Sequence, residues 1–256
     1  MSVLKKLSFF FILIATPYVQ AGFFDELKNI NLEAITGSTQ NEVPAGLSEV
    51  PAGLSNDEIV LGLKQALEKG SQAAVKNLSA QGSFLNQADV RVPIPTSLLP
   101  LASTLKMLGQ EDLVTAFQAT LNQAAEKAVP AAATIFSDSI QAMSVDDAIG
   151  IINGPSNAAT EYFKKHHSSQ LLDAFLPVTR QATDQAGVTA SYKQLLAAAS
   201  SYSSLTSAYA PDLDSFIAQK TVDALFLRIA EQEKLIRENP AARTTDLLKK
   251  LFTSSN

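Results

Sequence analysis

Ile59, Leu63, Leu67, Ala74, Val75 and Leu78 recur at helical spacing, with Lys, Glu and Gln between them. That period gathers them on one face of an amphipathic helix. At its start Ser55 stands three residues before Glu58, the spacing of a capping box, in which hydroxyl and carboxylate each satisfy an orphan backbone N–H. The pattern fades around Gly82 and resumes from about Thr96 to Leu108, with Gly109 as a stop. It returns from Glu111 to Val129, with Leu113, Phe117, Leu121 and Ala124 facing inward, and again from Pro130 to Met143. Ser144 and Asp147 repeat the capping-box spacing, and Asn153-Gly154 ends the short helix that follows. Ser156 opens NAATEYFKKHH, and Ser169 precedes a further helix, LLDAFLPVTRQATDQ. A Tyr- and Ser-rich stretch near 190–210 carries the weakest pattern. The last long helix starts near Pro211-Asp212, carries Phe216, Ile217, Leu225, Phe226 and Ile229, and stops at Asn239-Pro240. Thr245 then caps a terminal helix, DLLKKLF.

No run of alternating strands emerges, and the chain reads as an all-α protein of about nine helices. One segment breaks the helical period. In DVRVPIP, residues 89–95, Val90, Val92 and Ile94 alternate with Arg91, and two prolines enforce an extended path.

The N-terminal part has a different character. Lys5 and Lys6 precede the apolar run LSFFFILIA, and Val19 and Ala21 occupy the minus-three and minus-one positions of a cleavage site. The run is too short for a bilayer and fits a secretory leader, so residues 1–21 are expected to be a signal peptide. Residues 22–36 read as a short amphipathic helix without a basic face. It docks on its own domain in this reading, with peripheral membrane contact through Phe23, Phe24 and Leu27 as the other option. Residues 37–54 form a Pro/Gly linker in which VPAGLSE is followed directly by VPAGLSN, a tandem duplication too short for a solenoid. Residues 55–253 are then the helical domain.

Composition narrows the function classes. Hydrophobic residues make up 46% of the 256 and charged residues 18%, enough apolar material for a sizeable core. Removing the leader deletes Lys5 and Lys6 and no acid, which takes the formal net charge from −5 to −7. With no Lys/Arg cluster, nucleic acid is excluded as a partner. Absence of cysteine excludes disulfides, thiolate metal sites and a cysteine nucleophile. No stretch after the leader is long and apolar enough for a transmembrane helix.

Candidate chemistry is sparse. Asn122 and Glu126 share a helical face at i, i+4, where a carboxylate beside an amide could bind a cation or act as a base if burial raises its pKa. Asp146 and Asp147 could supply two carboxylates to a hard cation, and Asp147 also suits the helix N-terminus after Ser144. Glu161 and Lys165 form a helical ion pair, and His166 and His167, too far apart around the axis to share a metal, mark a polar helix end. Arg91, in the extended segment that leads into Pro93 and Pro95, either faces solvent or turns inward to a carboxylate, for which Glu126 and Asp147 are the candidates. No Gly-x-Ser-x-Gly elbow, phosphate loop or dinucleotide fingerprint is present, so no cofactor and no metal is expected.

Taken together, LSNDEIVLGLKQALEKG, VRVPIP, LNQAAEKA, MSVDDAIGIINGPSNAATEYF and VDALFLRIAEQEKLIRENPAARTTDLLKKLF resemble a bacterial family, domain of unknown function 4197. The resemblance covers most of residues 54–252 and implies an exported, mainly helical domain with no assigned activity. It also implies that Arg91, Asn122, Glu126, Asp147 and Thr160, which lie within the matching motifs, belong to one polar feature. The expectation is a periplasmic domain that acts by binding or scaffolding at the cell envelope, its partner an envelope protein or an apolar, lipid-like ligand. The alternative is a hydrolase or metal-dependent enzyme built on Glu126 and Asp147 with Asn122 or Thr160.

Overall fold

The computed structural model describes residues 54–200, 211–243 and 245–253. The leader, the helix with Phe23, Phe24 and Leu27, the duplicated linker up to Gly53 and the Tyr/Ser-rich stretch from 201 on lie outside them.

Ser55 opens the first helix, α1 (Asn56–Leu78), and both halves of the capping box form. Its stripe of Ile59, Leu63, Leu67, Ala74 and Leu78 is buried. A 3₁₀ turn, Thr96–Leu98, leads into α2 (Leu99–Met107), and Gly109, with φ +72°, reverses the chain into α3 (Glu111–Ala128). Pro130 sits in a second 3₁₀ turn, Val129–Ala131, before α4 (Ala132–Gln141). The Ser144 capping box starts α5 (Val145–Ile152). Beyond it run α6 (Ala158–Ala186) and α7 (Val188–Ser200). Asp212 caps α8 (Leu213–Glu238), and Thr245 caps α9 (Asp246–Thr253). The fold is all-α, with no strand among the described residues.

The expected helix break at Ser169 does not occur. α6 runs through it, and through Pro177, because Phe163, Leu171, Phe175 and Ala182 keep one buried stripe in phase. His166 and His167 therefore lie within a long helix rather than at its end.

α3 packs against α2, α6, α7 and α8, while α1 packs against α4, α5, α8 and α9. Small residues make these approaches close. Ala124, Ala125, Ala128 and Ala132 are fully buried around the end of α3. A Cβ on Gly62 would meet Leu247 and Leu251 of α9 at 3.1 and 3.2 Å. Phe136 joins the layers with edge-on contacts to Phe163 and Phe226.

Candidate functional site

Between α1 and α2 the chain runs through residues 79–95 with turns but no regular helix or strand. Such backbone must find its hydrogen-bond partners elsewhere, and here buried side chains supply them. Asn122 of α3, wholly buried, accepts the Val92 N–H at 2.9 Å through Oδ1 and donates to the Val92 carbonyl at 3.0 Å through Nδ2. One helical turn on, Glu126 Oε1 accepts the Phe84 N–H at 3.2 Å. From α8, Arg228 holds both oxygens of Asp89, at 2.7 and 3.1 Å, and the Gln87 side-chain oxygen at 2.6 Å. This guanidinium keeps the Asp89 carboxyl below its ordinary range. Val90 and Val92 are buried and Ile94 is half-buried, while Arg91 and Pro93 face outward, so the alternation read in DVRVPIP holds from 90 to 93 without a strand and ends at buried Pro95.

A second polar assembly joins α5, α6 and α8. Glu233 of α8 accepts the Ala159 N–H at 2.9 Å and the Thr160 N–H at 3.0 Å, and the Thr160 hydroxyl donates to it at 2.9 Å. It thus serves as the N-terminal cap that Asn157 does not provide, with its negative charge at the positive end of the helix. Arg237, one turn along α8, pairs with Glu233 at 3.1 Å and donates to the carbonyls of Ile151 and Ile152 at the end of α5. The Ile151 bond is 2.8 Å long. An ion pair between buried Glu233 and partly buried Arg237 thereby closes the end of one helix and the start of the next. Arg243 closes α8 in the same way through the Ile236 and Arg237 carbonyls, and both arginines lie over the Phe252 ring.

Asp147 occupies a third place. Its carboxylate takes the Ser144 hydroxyl at 2.6 Å and backbone N–H at 3.1 Å, and it also bonds Tyr162 of α6. Hydrogen bonding from Ser144, followed by that from Tyr162, lowers its pKa. Burial, reinforced by Asp147, pushes the Tyr162 phenol up to about 12. The Tyr162 ring also stacks against His166 and His167. Glu161 accepts from Asn157 and makes no ion pair with Lys165 among the described residues.

The five residues expected to form one polar feature therefore occupy separate places. Asn122 and Glu126 act together on the 84–92 segment, Thr160 belongs to the Glu233 cap, and Asp147 to the α5 cap. Arg91 meets neither Glu126 nor Asp147. Its exposed side chain donates Nε–H to the Leu85 carbonyl at 2.7 Å. Among the described residues, no group of three or more His, Asp and Glu is placed to hold a metal. Arg228, Glu233 and Arg237 organise these sites, and sequence reading passed over all three. Glu233 had a signal, because it continues the stripe of Leu225, Ile229 and Ile236.

Two recesses accompany this framework. One, between α1 and α8 near Phe252, is apolar with a volume of about 20 Å³, room for roughly one water. The other is an open cleft of about 450 Å³ between the 89–93 segment, the start of α6 and the middle of α8. Arg91, Thr160 and Lys164 line it, as do Lys220, Asp223 and Leu227. Neither recess is lined by Asn122, Glu126 or Asp147.

No curated protein and no solved structure matches the chain. The family model described as Protein of unknown function (DUF4197) matches residues 53–253. That span begins at the foot of α1 and ends at the last residue of α9, taking in every element that builds the two polar assemblies and the cleft. The chain belongs to the DUF4197 family.

Proposed function

We propose that this is an exported, non-catalytic binding module of the cell envelope, and that its ligand sits in the cleft beside Arg91. The observation that carries the reading is the bracing of the 84–92 segment. Asn122 and Glu126 hold it from α3, and Arg228 holds it from α8. Buried backbone needs partners in any connection, and here the same hold also fixes the segment that carries Arg91 at the edge of the cleft, as presenting a side chain to a ligand requires. The cleft volume, about 450 Å³, falls in the range of small-molecule sites.

The carboxylates supply the complementary argument. Glu126, Asp147 and Glu233 each accept backbone N–H groups, which is structural work that leaves little for acid–base chemistry. A lipid tail has no seat in the 20 Å³ recess, so the open cleft is the better site. Export rests on the Lys5-Lys6 leader pattern and the Val19/Ala21 cleavage signal.

A small-molecule screen read by amide NMR tests the site. Binding should move resonances of residues 89–93, 160–164 and 220–230 together. Ligands clustering elsewhere would contradict the reading, as would a hydrolytic activity that Glu126→Gln abolishes at unchanged melting temperature. Fractionation tests the compartment: processed protein starting at Gly22 is expected outside the inner membrane, and uncleaved cytoplasmic protein would refute export.

A further inference from the structure

We infer that the cleft selects a small organic anion, with a carboxylate or phosphate gripped by Arg91 and Lys164 and an apolar body laid on Pro93, Leu227 and Ala230; the inference rests on the binding reading above. The geometry of Arg91 comes first. Its Nε–H is committed to the Leu85 carbonyl at 2.7 Å, which fixes the plane of the guanidinium. No carboxylate pairs with it among the described residues, so the Nη edge that suits two-point contact with an oxyanion is left available.

The surrounding charges agree. Lys164, on the α6 wall, likewise has no ion-pair partner among the described residues. The acids of the cleft are mostly engaged. Asp89 is held by Arg228, Asp223 lies 3.7 Å from Lys220 and accepts Gln219 at 2.9 Å, and Glu161 accepts Asn157. With Asp89 and Asp223 ion-paired, Arg91 and Lys164 stand against one carboxylate of the cleft, Glu161, which accepts from the neutral Asn157 amide. The balance is cationic by one charge, on a protein whose formal net charge is −5. A local positive site in an acidic molecule focuses a small anion while the whole surface repels polyanions such as nucleic acid. The apolar half follows from Leu227. It is 39% exposed in the middle of α8 and lines the cleft beside Pro93 and Ala230.

The experiment titrates the ¹⁵N-labelled protein with phenyl phosphate, phenylacetate, neutral phenylacetamide and inorganic phosphate at low and high salt. Both aromatic anions are expected to shift the amides around Arg91 and Lys164, more weakly at high salt, with phenylacetamide at least tenfold poorer. Arg91→Met should weaken the anions roughly ten- to a hundredfold, the worth of a two-point charged contact, and Lys164→Met by less. Both side chains are exposed, so Lys164→Met should keep the wild-type melting temperature and Arg91→Met, which gives up only the exposed bond to the Leu85 carbonyl, should stay close to it. Equal binding of phenylacetamide, or indifference to Arg91→Met, would overturn the anion assignment and leave the binding reading standing. Inorganic phosphate binding as tightly as phenyl phosphate would overturn the apolar half. No shift in the cleft with any probe would overturn both the inference and the reading beneath it.

Discussion

Asn122 binds the Val92 backbone at both its N–H and its C=O, at 2.9 and 3.0 Å. The side chain thus does for an isolated extended residue what a neighbouring strand would do in a sheet. Asn122→Ala leaves both buried groups without partners. We expect a loss of about 2–4 kcal/mol, from the usual cost of unsatisfied buried polar atoms. Urea unfolding should show it as a lower midpoint with an unchanged slope.

Glu233 is the stronger structural test. Glu233→Ala removes the cap from α6 and leaves the partly buried Arg237 beside no carboxylate, which should cost about 3–5 kcal/mol. Glu233→Gln keeps one acceptor oxygen and should cost less than half as much. Thermal unfolding of the two variants distinguishes them, and equal losses would mean that the charge carries the whole effect and the retained oxygen none of it.

Arg228 acts locally. Arg228→Met frees Asp89 and Gln87 while keeping the packing of the stem. The expected global loss is about 1–3 kcal/mol, with faster amide exchange confined to residues 87–93.

The Asp147–Tyr162 contact predicts pH dependence at both extremes. Asp147 has a lowered native pKa, so its stabilisation is complete above the ordinary carboxylate range and is lost as pH falls through the native value. Tyr162 has a raised value, about 12 against 10. Its contribution is complete below pH 10 and declines as pH rises from there toward 12. Tyr162→Phe should flatten the alkaline decline, and an ultraviolet titration should show one tyrosine ionising late.

The helices were legible because each buries one stripe, and a stripe survives in the order of residues. Ser169 misled because an exposed polar residue mimics a break, although Phe163, Leu171 and Phe175 stay in phase across it. Thr179, wholly buried, hides the stripe further, since its hydroxyl is satisfied by the Phe175 carbonyl. Asn122 and Glu126 were legible as a pair on one face. Their partners were not, because Val92 and Phe84 contribute backbone groups 30 and 42 residues away, and main-chain atoms carry no sequence mark. For Arg228 the obstacle was Glu231, three residues on, which makes a buried anchor look like an ordinary surface ion pair.

The bracing of residues 84–92 is the premise on which the cleft, its ligand and the role of Asn122 all stand. Native-state hydrogen exchange at the Phe84 and Val92 amides measures it directly. Both should exchange only through global unfolding, with protection matching that of the core of α3, and Asn122→Ala should release Val92 selectively. Exchange of both amides within minutes in the wild-type protein, at the pace of an unrestrained loop, would contradict it.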